Sequence, residues 1–252
     1  MHANYAYALR RVGTLGGALS TSERLGPWLL IDAGLGEGTF NIGILIDPPS
    51  ADLDADLAQA EAWFASRGIW HLRLDLRSEA DAPMLAAAAN AGLVEWWRQP
   101  ALLLQPLPLA WPGLPTLEIR LVTTPAEVDA YVSLDEAERD REFQLQMVAA
   151  ALELEGFCLL LAYDRGRPVA RSMAVVTGEI VGIHNVFVPP ELRNRGYGAA
   201  ITIAAIEAGR SLGAKAACLE STELGLPVYH RLGFMYEYEY ITMHRSSFPV
   251  AP

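Results

Sequence analysis

Residues 186–209 read VFVPPELRNRGYGAAITIAAIEAG. An apolar run meets a diproline, two arginines and two glycines follow, and an alanine-rich apolar segment closes the stretch. The run before the prolines has the composition of a strand. The segment from 198 to 213 reads as a helix ended by Gly213. The arginine-glycine loop therefore lies at a helix N-terminus, where N–H groups lack intrahelical partners and the macrodipole is positive. Gly196 and Gly198 let a backbone approach a ligand closely and permit positive φ. Arg193 and Arg195 add planar donors matched to phosphate oxygens. Together these residues describe a pyrophosphate cradle. The spacing is neither G-x-x-x-x-G-K-[ST] nor G-x-G-x-x-G, which disfavours both of those nucleotide readings.

The flanking sequence supplies the frame. Residues 157–188 read as three strands, with turns at Asp164-Arg165-Gly166 and Thr177-Gly178-Glu179. After the helix come a strand in AACLEST (216–222), a short helix in LPVYHRLG (226–233) and a strand in FMYEYEYITMHR (234–245). The same plan runs through residues 43–97: strand, Pro-Pro, helix, strand, Pro-started helix, Gly, strand. In its helix Leu53, Leu57, Ala60 and Phe64 fall at helical spacing, and the last strand material is expected to break at Pro100. Diprolines Pro48-Pro49 and Pro189-Pro190 open both copies, so the chain reads as a duplicated αβ unit. The first copy has no glycine loop and carries Asp52, Asp54 and Asp56 where the second has Arg193 and Arg195. Carboxylates there satisfy the free N–H groups and repel a phosphate. The proline-rich segment LQPLPLAWPGLPTLE (104–118) separates the copies and bars continuous helix or central strand. It places the domain boundary near 113, giving domains 1–112 and 113–252.

Composition limits the alternatives. With 252 residues, 52% hydrophobic and 19% charged, two packed domains are feasible. A net charge of -11 argues against a nucleic-acid partner and is compatible with a cationic small molecule or a basic peptide. Cys158 and Cys218 lie in apolar runs as packing residues, so neither a disulfide framework nor a metal site is indicated. The start lacks a signal-like apolar region and no window spans a membrane, so a cytoplasmic protein is expected, with no membrane partner. Trp96 and Trp97 read as core and inter-domain packing, and DEAERDREF (135–143) as a solvated helix face or an edge of the acceptor site.

VFVPPELRNRGYG is similar to the acetyl-coenzyme-A motif of the GNAT superfamily N-acetyltransferases, [RQ]-x-x-G-x-[GA] after a strand ending in V-x-P. Arg193, Gly196 and Gly198 fill it. GLPVYHRLGF resembles the family's second signature, filled by Tyr229, Gly233 and Phe234. The likeness covers roughly residues 115–245, and the first half resembles a degenerate repeat of the tandem type. It implies an α/β GNAT fold whose mixed central sheet, flanked by helices, splays open between the strand at 181–188 and that at 215–221. A second, reduced GNAT-like domain without a coenzyme A site precedes it.

The resemblance further implies acetyl transfer from acetyl-CoA to a primary amine of a small molecule or peptide. Backbone groups of Val186 and Val188, flanking Phe187, pair with the pantetheine arm. The Val186 amide polarises the thioester carbonyl. Amides of Asn194, Arg195, Gly196, Tyr197, Gly198 and Ala199 hold the pyrophosphate, with Arg193 beside them. Tyr229 is the general acid. Many members carry a strand glutamate as base; Gly182 stands there, and His184 on the same side of the strand is the leading substitute, with Glu179 second. The missing glutamate supports an alternative, a non-catalytic acyl-CoA-binding or regulatory module, and an enzyme using a longer acyl-CoA is a third reading.

Overall fold

The computed structural model describes residues 1–15, 20–34, 41–111, 113, 115–135 and 141–245, with the side chain of Phe143 excepted. In chain order the helices are α1 (His2–Gly13), α2 (Leu53–Ala65), α3 (Ala82–Asn90), α4 (Pro125–Ser133), α5 (Arg141–Ala151), α6 (Tyr197–Ser211) and α7 (Leu226–Arg231). The strands are β1 (Thr21–Leu25), β2 (Trp28–Asp32), β3 (Ile42–Leu45), β4 (Leu72–Arg77), β5 (Val94–Leu104), β6 (Glu118–Leu121), β7 (Phe157–Asp164), β8 (Arg167–Thr177), β9 (Ile180–Phe187), β10 (Ala216–Glu220) and β11 (Met235–Arg245). Residues 39–40 of TFNIGILID (39–47), a stretch that reads as a strand, and residues 136–140 of the charged run lie outside the described residues. Among the described residues no helix is long and apolar enough to cross a membrane.

Two compact units divide the chain. One joins His2–Ala101 to the residues from Tyr238; the other holds Leu102–Glu237. In the first, β1, β2 and β3 pair antiparallel in succession. β3 then pairs parallel with β4 across the α2 crossover. Leu57, Ala60 and Phe64 of α2 are buried with Trp28, Leu74, Ile241 and Met243, as the helical spacing predicts. β4 pairs antiparallel with β11, from Arg77↔Tyr240 to Leu72↔Arg245.

In the second unit β6, β7, β8 and β9 pair antiparallel in succession, and β9 pairs parallel with β10. The turns at 164–166 and 177–179 are present, with Arg165, Gly166 and Gly178 at positive φ. One face of this sheet carries Ala174, Val181, Ile183, Ala217 and Leu219, which pack with Ile201, Ala205 and Ile206 of α6. Gly209 makes the approach close: a Cβ there would stand 2.5 Å from the Val181 side chain. On the other side α4 starts at a capping box, Thr124 and Glu127 each satisfying the other's backbone N–H.

Four expectations meet a different arrangement. The boundary near 113 is replaced by a division at Ala101/Leu102, and the last strand from Tyr238 belongs with the first unit. The proline-rich segment is not a free linker. Leu107 is buried in the second unit, Trp111 Nε1 donates to Glu207 Oε1 (2.6 Å), and Arg210 Nη2 donates to the Pro108 carbonyl (2.6 Å). Prolines forbid regular structure but leave apolar side chains free to pack. β5 also runs through Pro100 without breaking, and that missing N–H falls beside the Ala101/Leu102 handover between units. Trp96 and Trp97, expected to be packed, are 59% and 50% exposed. The Trp96 ring instead lies 5.4 Å from that of His244, with the Arg73 guanidinium above it.

Candidate active site

β8 and β9 keep a regular register from Thr177↔Ile180 to Met173↔His184 and resume at Arg171↔Phe187. β9 thus spends three steps where β8 spends two, a bulge of one residue. Asn185 sits at its centre with φ 52°, a conformation that asparagine tolerates better than most residues. The bulge re-aims the backbone of Val186 just before the diproline.

β10 pairs with β9 only at Ala216↔Ile180, Ala217↔Val181 and Cys218↔Gly182. Both strands continue, β9 to Phe187 and β10 to Glu220, but their pairing ends. This is the splay expected between 181–188 and 215–221. In the first unit β3 and β4 still pair at Ile44↔Asp75, four residues before Pro48. In the second the last pair, at Gly182, lies seven residues before Pro189.

The side chains at the splay follow from strand alternation. Val181, Ile183, Ala217 and Leu219 face α6, so Gly182, His184, Cys218 and Glu220 face the other way. His184 Nδ1 stands 3.6 Å from Glu220 Oε2, both side chains largely buried. Burial pushes the His184 imidazole down to about 4, leaving it neutral at ordinary pH. Burial, reinforced by the Glu220 charge, pushes the Cys218 thiol up to about 12, and burial raises that of Cys158. Both cysteines are therefore inert thiols, as packing residues should be. Glu220 is a candidate site residue that the sequence reading did not name. Its strand and alternation were visible, but only the register against β9 brings it opposite His184. Glu179, the second base candidate, is exposed at the far end of β9 with its carboxylate on Lys215.

Tyr229 is buried on α7, its ring edge-on to Phe234 at 5.9 Å between centroids. Burial pushes its phenol up to about 12; a hydrogen bond with Thr202 works against this, and the nearby Glu220 charge adds to it. The Thr202 hydroxyl donates to the Gly198 carbonyl at 2.8 Å, so Tyr229 is tied through one residue to the glycine loop.

The loop leaves the start of α6 open to an anion. α6 is capped by Gly196 at φ 80°, with no side-chain cap and no acidic residue in its first turn. A Cβ at 196 would meet Pro115 Cδ at 2.9 Å, so glycine is required by both conformation and space. Asn194 supplies a second left-handed residue, and turns of this kind direct backbone N–H groups into a concavity. Gly198 is different: its φ is not positive, and a Cβ there would touch only Val188 Cγ2 at 3.8 Å. Its free space is room for a ligand rather than a backbone requirement.

Arg193 and Arg195 are exposed but brace the loop: Arg193 Nε donates to the Val188 carbonyl (3.1 Å) and Arg195 Nη2 to that of Glu191 (3.4 Å). Tyr197 points inward, its hydroxyl donating to Asp164 Oδ2 at 2.7 Å, so only its amide faces the loop. Val186, Phe187 and Val188 are half-buried along the splayed end of β9, and Ala199 lies in the first turn of α6.

Residues 122–234 match the model of the acetyltransferase (GNAT) family. A search of the curated proteins gives no match. Among solved structures, a GCN5-related N-acetyltransferase from Kribbella flavida superposes with a TM-score of 0.75 at 18% identity, covering 98% of this chain and 96% of that one. A tandem GNAT protein from the clavulanic acid biosynthesis pathway gives 0.68 at 16% identity, over 96% and 89%. A GCN5-related N-acetyltransferase from Sphaerobacter thermophilus gives 0.64 at 16% identity, over 87% and 80%. The fold is therefore that of these proteins. Residues 122–234 therefore carry a domain that matches the acetyltransferase (GNAT) family, within a chain whose fold is shared with GCN5-related N-acetyltransferases.

Proposed function

We propose that the unit containing α6 transfers an acetyl group from acetyl-CoA to a primary amine of a small molecule or peptide. The observation that carries this reading is a coincidence at one end of β9. An uncapped, arginine-flanked helix N-terminus lies next to a splayed strand pair holding His184 and Glu220. Amides of residues 194–199, with Arg193 and Arg195, hold the pyrophosphate. The backbone of Val186 and Val188, beyond the last pair with β10, pairs with the pantetheine arm as an added strand would. The Val186 N–H polarises the thioester carbonyl.

In the reaction a C–N bond forms and the C–S bond breaks. His184, neutral above about pH 4, accepts the proton lost by the amine, and Glu220 stabilises the imidazolium that results. Tyr229, its phenol raised to about 12, stays protonated and donates to the departing thiolate. The other unit serves as a reduced copy without a coenzyme A site. Its α2 is capped by Asp52, and its β3–β4 pair remains zipped closer to the diproline.

One observation favours a second reading, a non-catalytic acyl-CoA-binding module: the Tyr229 hydroxyl is engaged with Thr202 inside the core. Release of free thiol from acetyl-CoA across a broad panel of amines, alongside calorimetry, separates the two. Amine-dependent release supports the enzyme. Tight binding with no release from any amine supports the module. No binding of coenzyme A at all would sink both.

A further inference from the structure

Arg171 is 1% exposed in the middle of β8, on the sheet face shared with His184. A buried guanidinium requires partners, and those of Arg171 come from two separate segments, the end of α4 with the residues just past it, and β9. Nη1 donates to the carbonyls of Tyr131 (2.7 Å) and Val132 (3.4 Å), in the last turn of α4 where carbonyls lack intrahelical donors. Nη2 donates to Asn185 Oδ1 at 3.2 Å, with Asp135 Oδ2 at 3.9 Å. The guanidinium carbon also lies over two rings, Tyr131 at 5.1 Å and Phe187 at 5.3 Å.

Two of these contacts fall on either side of one residue. Asn185 is the left-handed residue of the bulge, and Phe187 is where register with β8 resumes, opposite Arg171 itself. Val186 lies between them. The same side chain therefore fixes both ends of the segment whose N–H points at the thioester in the acetyl-transfer reading. It also ties that segment to the end of α4.

We propose that Arg171 is a positioning residue: by holding Asn185 and Phe187 from one guanidinium it sets the direction of the Val186 N–H, and so the polarisation of the bound thioester. The proposal rests on the acetyl-transfer reading. Lysine cannot replace the group, because a single ammonium has neither the fork that reaches α4 and Asn185 together nor the planar face that stacks on the rings.

The test needs no acceptor. Acetyl-CoA labelled with ¹³C at the thioester carbonyl is bound to the full-length protein, and its carbonyl stretch is read by isotope-edited infrared difference spectroscopy. The wild type should shift the stretch to lower frequency than in water. Arg171→Lys should lose about half of that shift or more, with affinity for coenzyme A little changed, since the pyrophosphate loop is untouched. Asn185→Gly keeps the left-handed backbone but removes the amide oxygen, and should lose a smaller part. It also decides the matter should Arg171→Lys fail to fold. A full wild-type shift in Asn185→Gly and in any folded Arg171→Lys would overturn the proposal, as would a wild-type complex with no shift. Failure of the wild type to bind acetyl-CoA would remove this proposal together with the reading beneath it, a result distinct from binding without the predicted loss.

Discussion

α2 and α6 both follow a diproline, and both cross over between two parallel strands, yet their N-termini are opposites. At α2, Asp52 accepts from the Ala55 N–H at 3.0 Å, Asp56 accepts from the Ser50 N–H at 2.7 Å, and the first turn is acidic. At α6 a glycine caps without a side chain, and two arginines stand in the loop before it. The sheets below differ in the same sense. Gly43, five residues before the first diproline, is covered closely by Leu74 and Leu30. The residue five before the second diproline is His184, beside a strand pair that has already separated. One copy has its helix end satisfied internally and its sheet closed. The other leaves both open, which is what a ligand with a phosphate at one end and an extended arm needs.

The largest test makes α6 resemble α2. Gly196→Asp places a side chain against Pro115 at a left-handed position and sets a carboxylate where the anion should sit. Loss of a few charge-assisted hydrogen bonds, each worth about 1.5–3 kcal/mol, should weaken coenzyme A binding by roughly 100-fold. Gly198→Ala separates the causes. Its Cβ disturbs nothing in the free protein beyond ordinary contact with Val188, so a calorimetric loss of affinity there would report the ligand alone. Unchanged affinity in a folded Gly196→Asp would remove the loop from the site.

Next comes the chemistry proposed for the open copy. Tyr229→Phe keeps the ring against Phe234 and removes the hydroxyl. Acetyl-CoA binding should be nearly unchanged while turnover falls by about tenfold or more, toward the low end for general acids because the thiolate leaves readily. Full turnover when chemistry limits the rate would make the tyrosine structural.

Much of this contrast was legible beforehand. The two diprolines, the arginines against the aspartates and the Tyr229 helix are all local patterns, and side-chain alternation placed His184 on the face that Gly182 shares. The bulge at Asn185, the facing of Glu220 and His184, and the grip of Arg171 were not legible. Each depends on strand register, and period-two alternation fixes faces without fixing partners. The same reason hid the pairing of β11 with β4. FMYEYEYITMHR reads as a strand from its own composition, but nothing in it says which strand it will lie beside.

The third test concerns acid. The folded His184 value of about 4 lies below the ordinary 6.5 because burial disfavours the charged form. On acidification the unfolded chain therefore takes up this proton first. The stabilising effect is fully present above about pH 6.5 and is lost as pH falls toward 4, by up to about 3 kcal/mol. His184→Gln should flatten that part of the pH–stability curve. A curve identical to wild type between pH 6.5 and 4 would show that the imidazole is not held neutral.

The smallest expected effect asks which of the two differences would keep a ligand away from α2. Asp52→Ala removes the cap on Ala55 N–H and should destabilise the unit containing α2 by about 1 kcal/mol, read from the protection of the α2 amides in hydrogen exchange. It exposes helix N–H groups that resemble those of α6, and it removes a carboxylate that repels phosphate. If the aspartates alone excluded the ligand, calorimetry on the variant should show a second, weak coenzyme A site. We expect one site per chain, as we propose for the wild type. β3 and β4 remain paired to within four residues of Pro48, so no free strand edge is left for the arm to join. An anion at a bare helix end, without that edge, would retain only the phosphate part of the interaction. A second binding event in Asp52→Ala would place the block in the carboxylate. Its absence, with the α2 amides measurably less protected, would place it in the closed sheet.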